Sequence, residues 1–325
     1  MDPAALVLIV LIALTVILLL RSEWEKKHLK TEYYTIKSEK IHIGTRFIFL
    51  SDMHGAEFGE DNEELLSEIR SLDPDCILIG GDMITCGKRC EEPPRTSACI
   101  HLCQELSEYW PVIYAEGNHE VRFRRRFPED FQIFIEHLEQ YSSLEYLMDE
   151  TETFTKEDEL IDERDEFTIY GPSLEEDYFQ PLRPGFGRKL VMPEGYLEGK
   201  LLTAEDMSCK VSDRRDRAPR HSFNIMLLHS PLYLREAEAL GADLVLSGHF
   251  HGGTIRLPGL GGLMTPQLQF LVKECAGEFS HGRTHMIVNR GLGTHSIKLR
   301  LNDRPEISVI DVLPKGDRET DPDQL

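Results

Sequence analysis

The chain has 325 residues, 41% hydrophobic and 29% charged, with 36 Lys and Arg against 57 Asp and Glu for a formal net charge of −21. That composition excludes a disordered chain and leaves room for a large buried core. The acidic balance argues against duplex nucleic acid as a partner, because such binding needs clustered positive charge. Seven cysteines are an odd number in a chain too long for a small disulfide scaffold, which points to reduced thiols.

In chain order, Ala4 to Leu20 is a 17-residue apolar run broken only by Thr15. It is close to the roughly 20 residues that span a bilayer as a helix. Arg21, Lys26, Lys27 and Lys30 follow it and no Lys or Arg precedes it. The spacing predicts a transmembrane anchor over residues 4–20 with the rest of the chain in the cytoplasm. Residues 21–32 read as a charged linker, and Trp24 falls where an interfacial aromatic belongs.

A first strand is expected over Tyr33–Ile43, and a βα rhythm then begins. Strands are predicted over Arg46–Ser51, Cys76–Gly80 and Val112–Ala115, with helices over Glu60–Ser71 and Thr96–Ser107 between them. Apolar strands alternating with helices imply a largely parallel sheet covered on both faces. The rhythm resumes at Phe223–Leu228, the helix Tyr233–Leu240 and Leu244–Ser247. Thr284–Val288, Ser296–Leu301 and Glu306–Val312 lie too close together for helical crossovers and are expected to be antiparallel.

Residues 121–222 have weaker periodicity and read as an insertion. Asp149 to Glu166 holds ten acids and two bases in eighteen residues, the pattern of a solvated loop or exposed hairpin. Arg122, Arg124, Arg125 and Arg126 form an opposite cluster, read as the solvated start of a helix in preference to a group that meets a substrate phosphate. Cys86, Cys90, Cys99 and Cys103 are spaced more widely than a zinc ribbon, so Cys99 and Cys103 are read as sharing a helix face. The apolar, glycine-rich stretch Leu257–Met264 either packs beside the site or touches lipid. Residues 315–325 form a polar tail, and His281, His285 and His295 read as structural or surface residues.

Ligands in open α/β sheets bind beyond the carboxyl ends of the strands. There the chain carries Asp52-x-His54, Gly81-Asp82, Gly117-Asn118-His119-Glu120, His229 and Gly248-His249-x-His251. Carboxylates with neutral imidazoles suit divalent Mn, Fe or Zn. Seven ligands exceed the needs of one ion and fit two ions sharing a carboxylate. In extended chain, D-x-H and H-x-H turn both side chains the same way.

In that order these blocks resemble the signature of the calcineurin-like metallophosphoesterases, over roughly residues 41–312 of a domain read as 33–314. The similarity is to the bacterial, single-pass, membrane-anchored type. It implies an α/β fold, a four-layer α/β/β/α sandwich preceded by one N-terminal transmembrane helix. It also implies two divalent ions: Asp52, His54 and His251 on one, Asn118, His229 and His249 on the other, and Asp82 on both. A hydroxide bridging the ions would attack phosphorus in line. His119 would sit beside the substrate, stabilising developing charge or protonating the leaving oxygen. Many members carry a second Asp three residues after the bridging one, where this chain has Thr85. The implied activity is hydrolysis of a phosphomonoester, diester or pyrophosphate, on a phosphorylated small molecule or a lipid-linked substrate. A non-catalytic metal-binding scaffold using the same fold is the competing class.

Overall fold

A computed structural model describes residues 2–179, 222–294 and 297–316, together with the backbone of 185–186. It opens with helix α1 (Pro3–Glu25), whose apolar run is exposed and long enough to cross a membrane by length and composition. Strand β1 (Lys30–Ser38) follows four residues later. The segment read as a charged linker is therefore helix, short turn and strand. The reason is side-chain direction: Ser22 and Glu25, one helical turn apart, face inward and are fully buried.

The rhythm of strands and helices appears as β2 (Thr45–Leu50), α2 (Glu63–Leu72), β3 (Cys76–Ile79), α3 (Ser97–Ser107) and β4 (Val112–Ala115). Next come α4 (Asn118–Arg126), α5 (Pro128–Leu138), β5 (Leu144–Leu147), β6 (Glu150–Asp158), β7 (Glu163–Gly171) and β8 (Gly185–Phe186). The second block is β9 (Phe223–Leu227), α6 (Leu234–Ala239) and β10 (Leu244–Ser247). The chain then forms β11 (Arg256–Leu257), β12 (Gly261–Met264), β13 (Gln269–Val272), β14 (Gly277–His281), β15 (Thr284–Val288) and β16 (Glu306–Pro314).

Among the described residues these strands make two six-stranded sheets, ordered β1-β16-β2-β3-β4-β5 and β14-β15-β10-β9-β7-β6. A small sheet, β11-β12-β13-β8, lies beside them. Alternation along the strands builds the layers. Phe47, Phe49, Cys76 and Leu78 of the first sheet pack with Phe167, Phe223, Ile225 and Leu246 of the second. The intervening Ile48, Leu50, Ile77 and Ile79 face Leu65, Ile69, Leu102 and Phe134 on the helices outside the first sheet. Met226, Val245 and Met286 face Tyr233 and Ala237 on the outer side of the second. The result is the four-layer α/β/β/α sandwich.

Three expectations need correction. No strand spans the described residues 297–301; only an isolated bridge joins Leu301 to Ile255. The late strands are not mutually antiparallel. β15 runs parallel to β10 in one sheet, whereas β16 lies in the other, parallel to β1 and antiparallel to β2. The spacing argument presumed one sheet, but the chain changes sheets between them. Finally, much of 121–222 is integral to the sandwich. α5 and β5 complete the first sheet's side, and the β6–β7 hairpin, which carries the acidic stretch, edges the second. The remainder of that segment, His295, Ser296 and residues 317–325 of the tail lie outside the described residues.

Candidate metal centre

Each sequence-selected side chain follows the C-terminal end of a strand: Asp52 and His54 after β2, Asp82 after β3, Asn118 and His119 after β4, His229 after β9, and His249 and His251 after β10. All of these elements end on the same side of the sandwich, which brings the side chains together. Asp52, His54, Asp82, His249 and His251 take left-handed backbone conformations, with φ between 46° and 67°. That region is costly for residues with a Cβ, and such strain gathers at functional sites.

Three groups have candidate ligand atoms within 4.8 Å of one another: Asp52, His54 and His251; Asp82, His229 and His249; and His54, Asp82 and His119. Asp82 Oδ2 is the meeting point, 3.1 Å from His229 Nε2 and 3.9 Å from both His54 Nε2 and His119 Nε2. His251 Nε2 lies 3.3 Å from Asp52 Oδ1 and 3.1 Å from His54 Nε2.

Hydrogen bonds on the far side of each ring fix what points inward. His229 Nδ1 donates to Gly80 O at 2.6 Å, and His54 Nδ1 donates to Ile84 O at 3.3 Å. A carbonyl only accepts, so both rings turn an unprotonated Nε2 into the cluster when neutral. His249 Nε2 is 2.6 Å from the side-chain nitrogen of buried Gln267. Asp52 Oδ2 accepts the Ser51 hydroxyl at 2.7 Å, and both Asp52 oxygens are 3.0 Å from the donating His249 N–H. Asn118 Oδ1 is buried without a hydrogen-bond partner. An orphaned amide oxygen on the residue before His119, together with two carboxylates and clustered imidazoles, is a donor set that fits divalent cations.

Electrostatics agree with crowding of charge. Burial pushes Asp52 up, helped by the neighbouring Asp82. Burial also opposes ionisation of Asp82, but the charge and hydrogen bond of His229 help hold that carboxyl well below its usual range. Burial lowers His229, yet Asp82 and Asp52 prevail and push it up to about 10. Burial and the charge of His229 keep His249 well below the usual imidazole range.

Several residues around the site had no role assigned from sequence. Glu120 is wholly buried and accepts N–H groups from Asp82 at 2.8 Å, Met83 at 2.9 Å and Gly117 at 3.0 Å, plus the Tyr114 hydroxyl at 2.8 Å. It caps the start of α4 by accepting the Gly117 N–H while pinning the Asp82 loop. Gly117 is required by close approach: a Cβ there would sit 2.3 Å from Asp82 Oδ1. Thr85, standing where the resemblance implies an Asp, donates its hydroxyl to His54 O at 3.1 Å.

The arginine cluster lies in the body and last turn of α4 and not at a helix start, and only part of it is solvated, Arg125 and Arg126 being exposed. Arg122 is buried and pairs with Glu176, Arg125 pairs with Glu175 at 2.8 Å, and Arg124 with Glu116 at 3.2 Å. The Glu176 and Glu175 pairs, with the Arg124 to Ser173 hydrogen bond, hold the 172–179 segment against α4. Phe179 thereby packs against the rings of His249 and His229, with centroids 5.1 and 5.9 Å apart. The four spaced cysteines form no metal-binding group among the described residues. Cys86, Cys99 and Cys103 are buried and Cys90 packs against the same apolar core.

Comparison with known proteins gives the same picture. The family model described as calcineurin-like phosphoesterase matches residues 45–253, from β2 through the last of the clustered histidines. An uncharacterized metallophosphoesterase of Bacillus subtilis, YkuE, is 27% identical over 294 residues, covering 88% of this chain and 86% of its own. One from Aquifex aeolicus is 27% identical over 305 residues, covering 91% and 96%. Phosphodiesterase YaeI of Escherichia coli is 33% identical over 89 residues, 27% of this chain and 32% of its own.

Proposed function

The chain belongs to the calcineurin-like phosphoesterases, and from that membership we propose a two-metal hydrolase of phosphoester bonds that works at a membrane. Asp52, His54 and His251 would hold one divalent ion, and Asn118, His229 and His249 the other, with Asp82 shared. The observation that carries this reading is the meeting of the two His/Asp groups at Asp82 Oδ2. When bound, a pair of Mn, Fe or Zn ions supplies Lewis acidity toward phosphoryl oxygens and makes water acidic enough to react at neutral pH.

The protein's own residues do the rest. His229 and His54 are held in the tautomer that presents Nε2 inward, so no ring must reorient. His119 Nδ1 accepts the Cys86 N–H, leaving its proton on Nε2, 3.9 Å from Asp82 Oδ2, where it can donate to a substrate oxygen as negative charge grows. Phe179 shields His229 and His249 from bulk water. The substrate is a phosphorylated small molecule or lipid with a monoester, diester or pyrophosphate bond.

For α1 the anchor reading is favoured over a cleaved signal sequence. Ser22 Oγ accepts the Arg300 N–H at 2.9 Å and Glu25 Oε2 accepts the Asp303 N–H at 3.0 Å. Removal of α1 would strip both acceptors from buried donors. Lys and Arg after the apolar run orient the catalytic domain toward the cytoplasm.

The test is hydrolysis of a generic aryl phosphodiester and monoester by the purified protein with Mn²⁺. Turnover lost in Asp82→Ala is the expected result. Activity that persists in that variant, or wild type inert with every divalent cation, sinks the reading.

A further inference from the structure

A groove of about 460 Å³, lined by Arg256, Leu257, Pro258, Lys273 and Asn302, lies at the small sheet and is separate from the metal centre. Its position relative to α1 is fixed by hydrogen bonds. Glu25 accepts backbone N–H groups from Asn302 and Asp303, and Asn302 Nδ2 donates to Arg256 O at 3.2 Å. Lys26 Nζ donates to Lys298 O at 3.3 Å, and the Arg304 guanidinium sits 5.6 Å over the Trp24 ring. The helix end and the groove wall are thus one rigid unit.

Depth follows from helix geometry. The apolar run from Ala4 to Leu20 spans ~26 Å at 1.5 Å per residue, close to one hydrocarbon thickness of about 30 Å. Glu25, five residues beyond Leu20, then stands roughly 7 Å past the hydrocarbon edge, within the headgroup layer. Asn302 and Arg256 are tied to that level.

The chemistry of the groove matches that layer. Arg256 donates to Gly252 O, lies 3.3 Å from Cys275 Sγ and acts through its charge on the buried Asp303, which Arg300 and Arg290 also face, and Lys273 is exposed. Leu257 and Pro258 line the groove with the two cations, Leu260 in the same β11–β12 turn is 52% exposed, and Ile297, next in sequence to Lys298, is 42% exposed. A chain with a net charge of −21 is repelled as a whole by an anionic leaflet, so contact with one needs local cations. Cations set among exposed aliphatics suit a phosphate that carries acyl chains.

We propose that this groove binds the headgroup phosphate of an anionic phospholipid in the bilayer that α1 enters, with Leu260 and Ile297 resting on the acyl boundary. The assignment rests on the anchor reading of α1. It also gives the domain a fixed tilt on the membrane, because His251 begins the turn that leads, five residues on, to Arg256.

The test reconstitutes full-length protein in phosphatidylcholine vesicles. These contain a small, equal fraction of either phosphatidylglycerol or phosphatidylcholine brominated at the headgroup end of its chains. Both proteins carry Trp110→Phe, so that the otherwise wild-type chain reports through Trp24, and Leu260→Trp combined with Trp24→Phe moves the reporter to the hairpin tip. The expected result is quenching of the added tryptophan, stronger with brominated phosphatidylglycerol. That preference should fall about fivefold for each cation removed by Arg256→Gln or Lys273→Gln. If Trp24 emission is unquenched, the anchor reading fails and the headgroup site falls with it. If Trp24 is quenched but the Leu260→Trp emission is not, or responds equally to both lipids, the site is overturned while the anchor stands.

Discussion

The backbone N–H of Cys86 donates to His119 Nδ1 at 2.7 Å, which fixes the protonation pattern of a ring facing the metal centre. A ring that accepts through Nδ1 is neutral and carries its proton on Nε2. His119 is thereby set to donate a hydrogen bond to developing charge, a role that needs no imidazolium. His119→Ala should lower kcat about 10²–10³-fold, the usual loss of one such donor, with metal content unchanged. His119→Gln, which keeps a side-chain N–H, should recover part of the loss. Steady-state kinetics beside metal analysis checks this, and metal lost from His119→Ala would refute it.

Glu120 links the Asp82 loop to α4 by accepting four backbone N–H groups and a phenol. Burial, with the charge of Asp82, lifts its carboxyl to about 7, so the fold carries a costly group for the sake of those bonds. In Glu120→Ala the donors stay buried without an acceptor. The expected destabilisation is about 3 kcal/mol or more. Thermal unfolding of wild type and variant measures it, and an unchanged midpoint would contradict the clamp.

The clustering of Asp and His side chains was legible in the sequence because each sits just past an apolar strand, and five such ends in order form a specific pattern. The sheets were legible for the same reason: Phe47–Leu50 and Cys76–Ile79 are buried on both faces and read as continuous apolar runs. What stayed hidden depends on partners distant in sequence. Nothing local to Arg122 announces Glu176, 54 residues away, and nothing near Ser22 announces Arg300, 278 residues away. Gln267 looks like a loop amide until β12 and β13 bring it to His249. The change of sheets between β15 and β16 is invisible because strand spacing carries no record of which sheet a strand joins.

Gly248 is held to its place by Asp52: a Cβ there would lie 2.1 Å from Asp52 Oδ2. Gly248→Ala must displace the carboxylate or the His249 loop. A shift of an ångström at reacting groups costs about 100-fold in rate, and that is the expected fall in kcat. A variant with wild-type kcat would show that the two loops yield freely.

Asp82 and Asp52 hold His229 protonated, with its ring pushed up to about 10 in the metal-free protein. A bound cation must expel that proton, so apparent metal affinity should rise about tenfold per pH unit near neutrality. His249 is kept neutral by burial and releases nothing. For stability the sign is opposite. The raised pKa of His229 favours the metal-free fold fully below about 6.5, and that contribution is lost as pH rises through about 10. Calorimetric metal titrations in buffers of different ionisation enthalpy count the protons. Binding that is independent of pH from 6 to 8 would contradict the assignment.

The most direct measurement is metal content per chain, by elemental analysis of protein purified with and without Asp82→Ala. About two equivalents are expected in wild type and well under one in the variant, because the shared carboxylate serves both ions. A wild type that binds no metal, or an Asp82→Ala variant that retains the full complement, would contradict a centre built around Asp82.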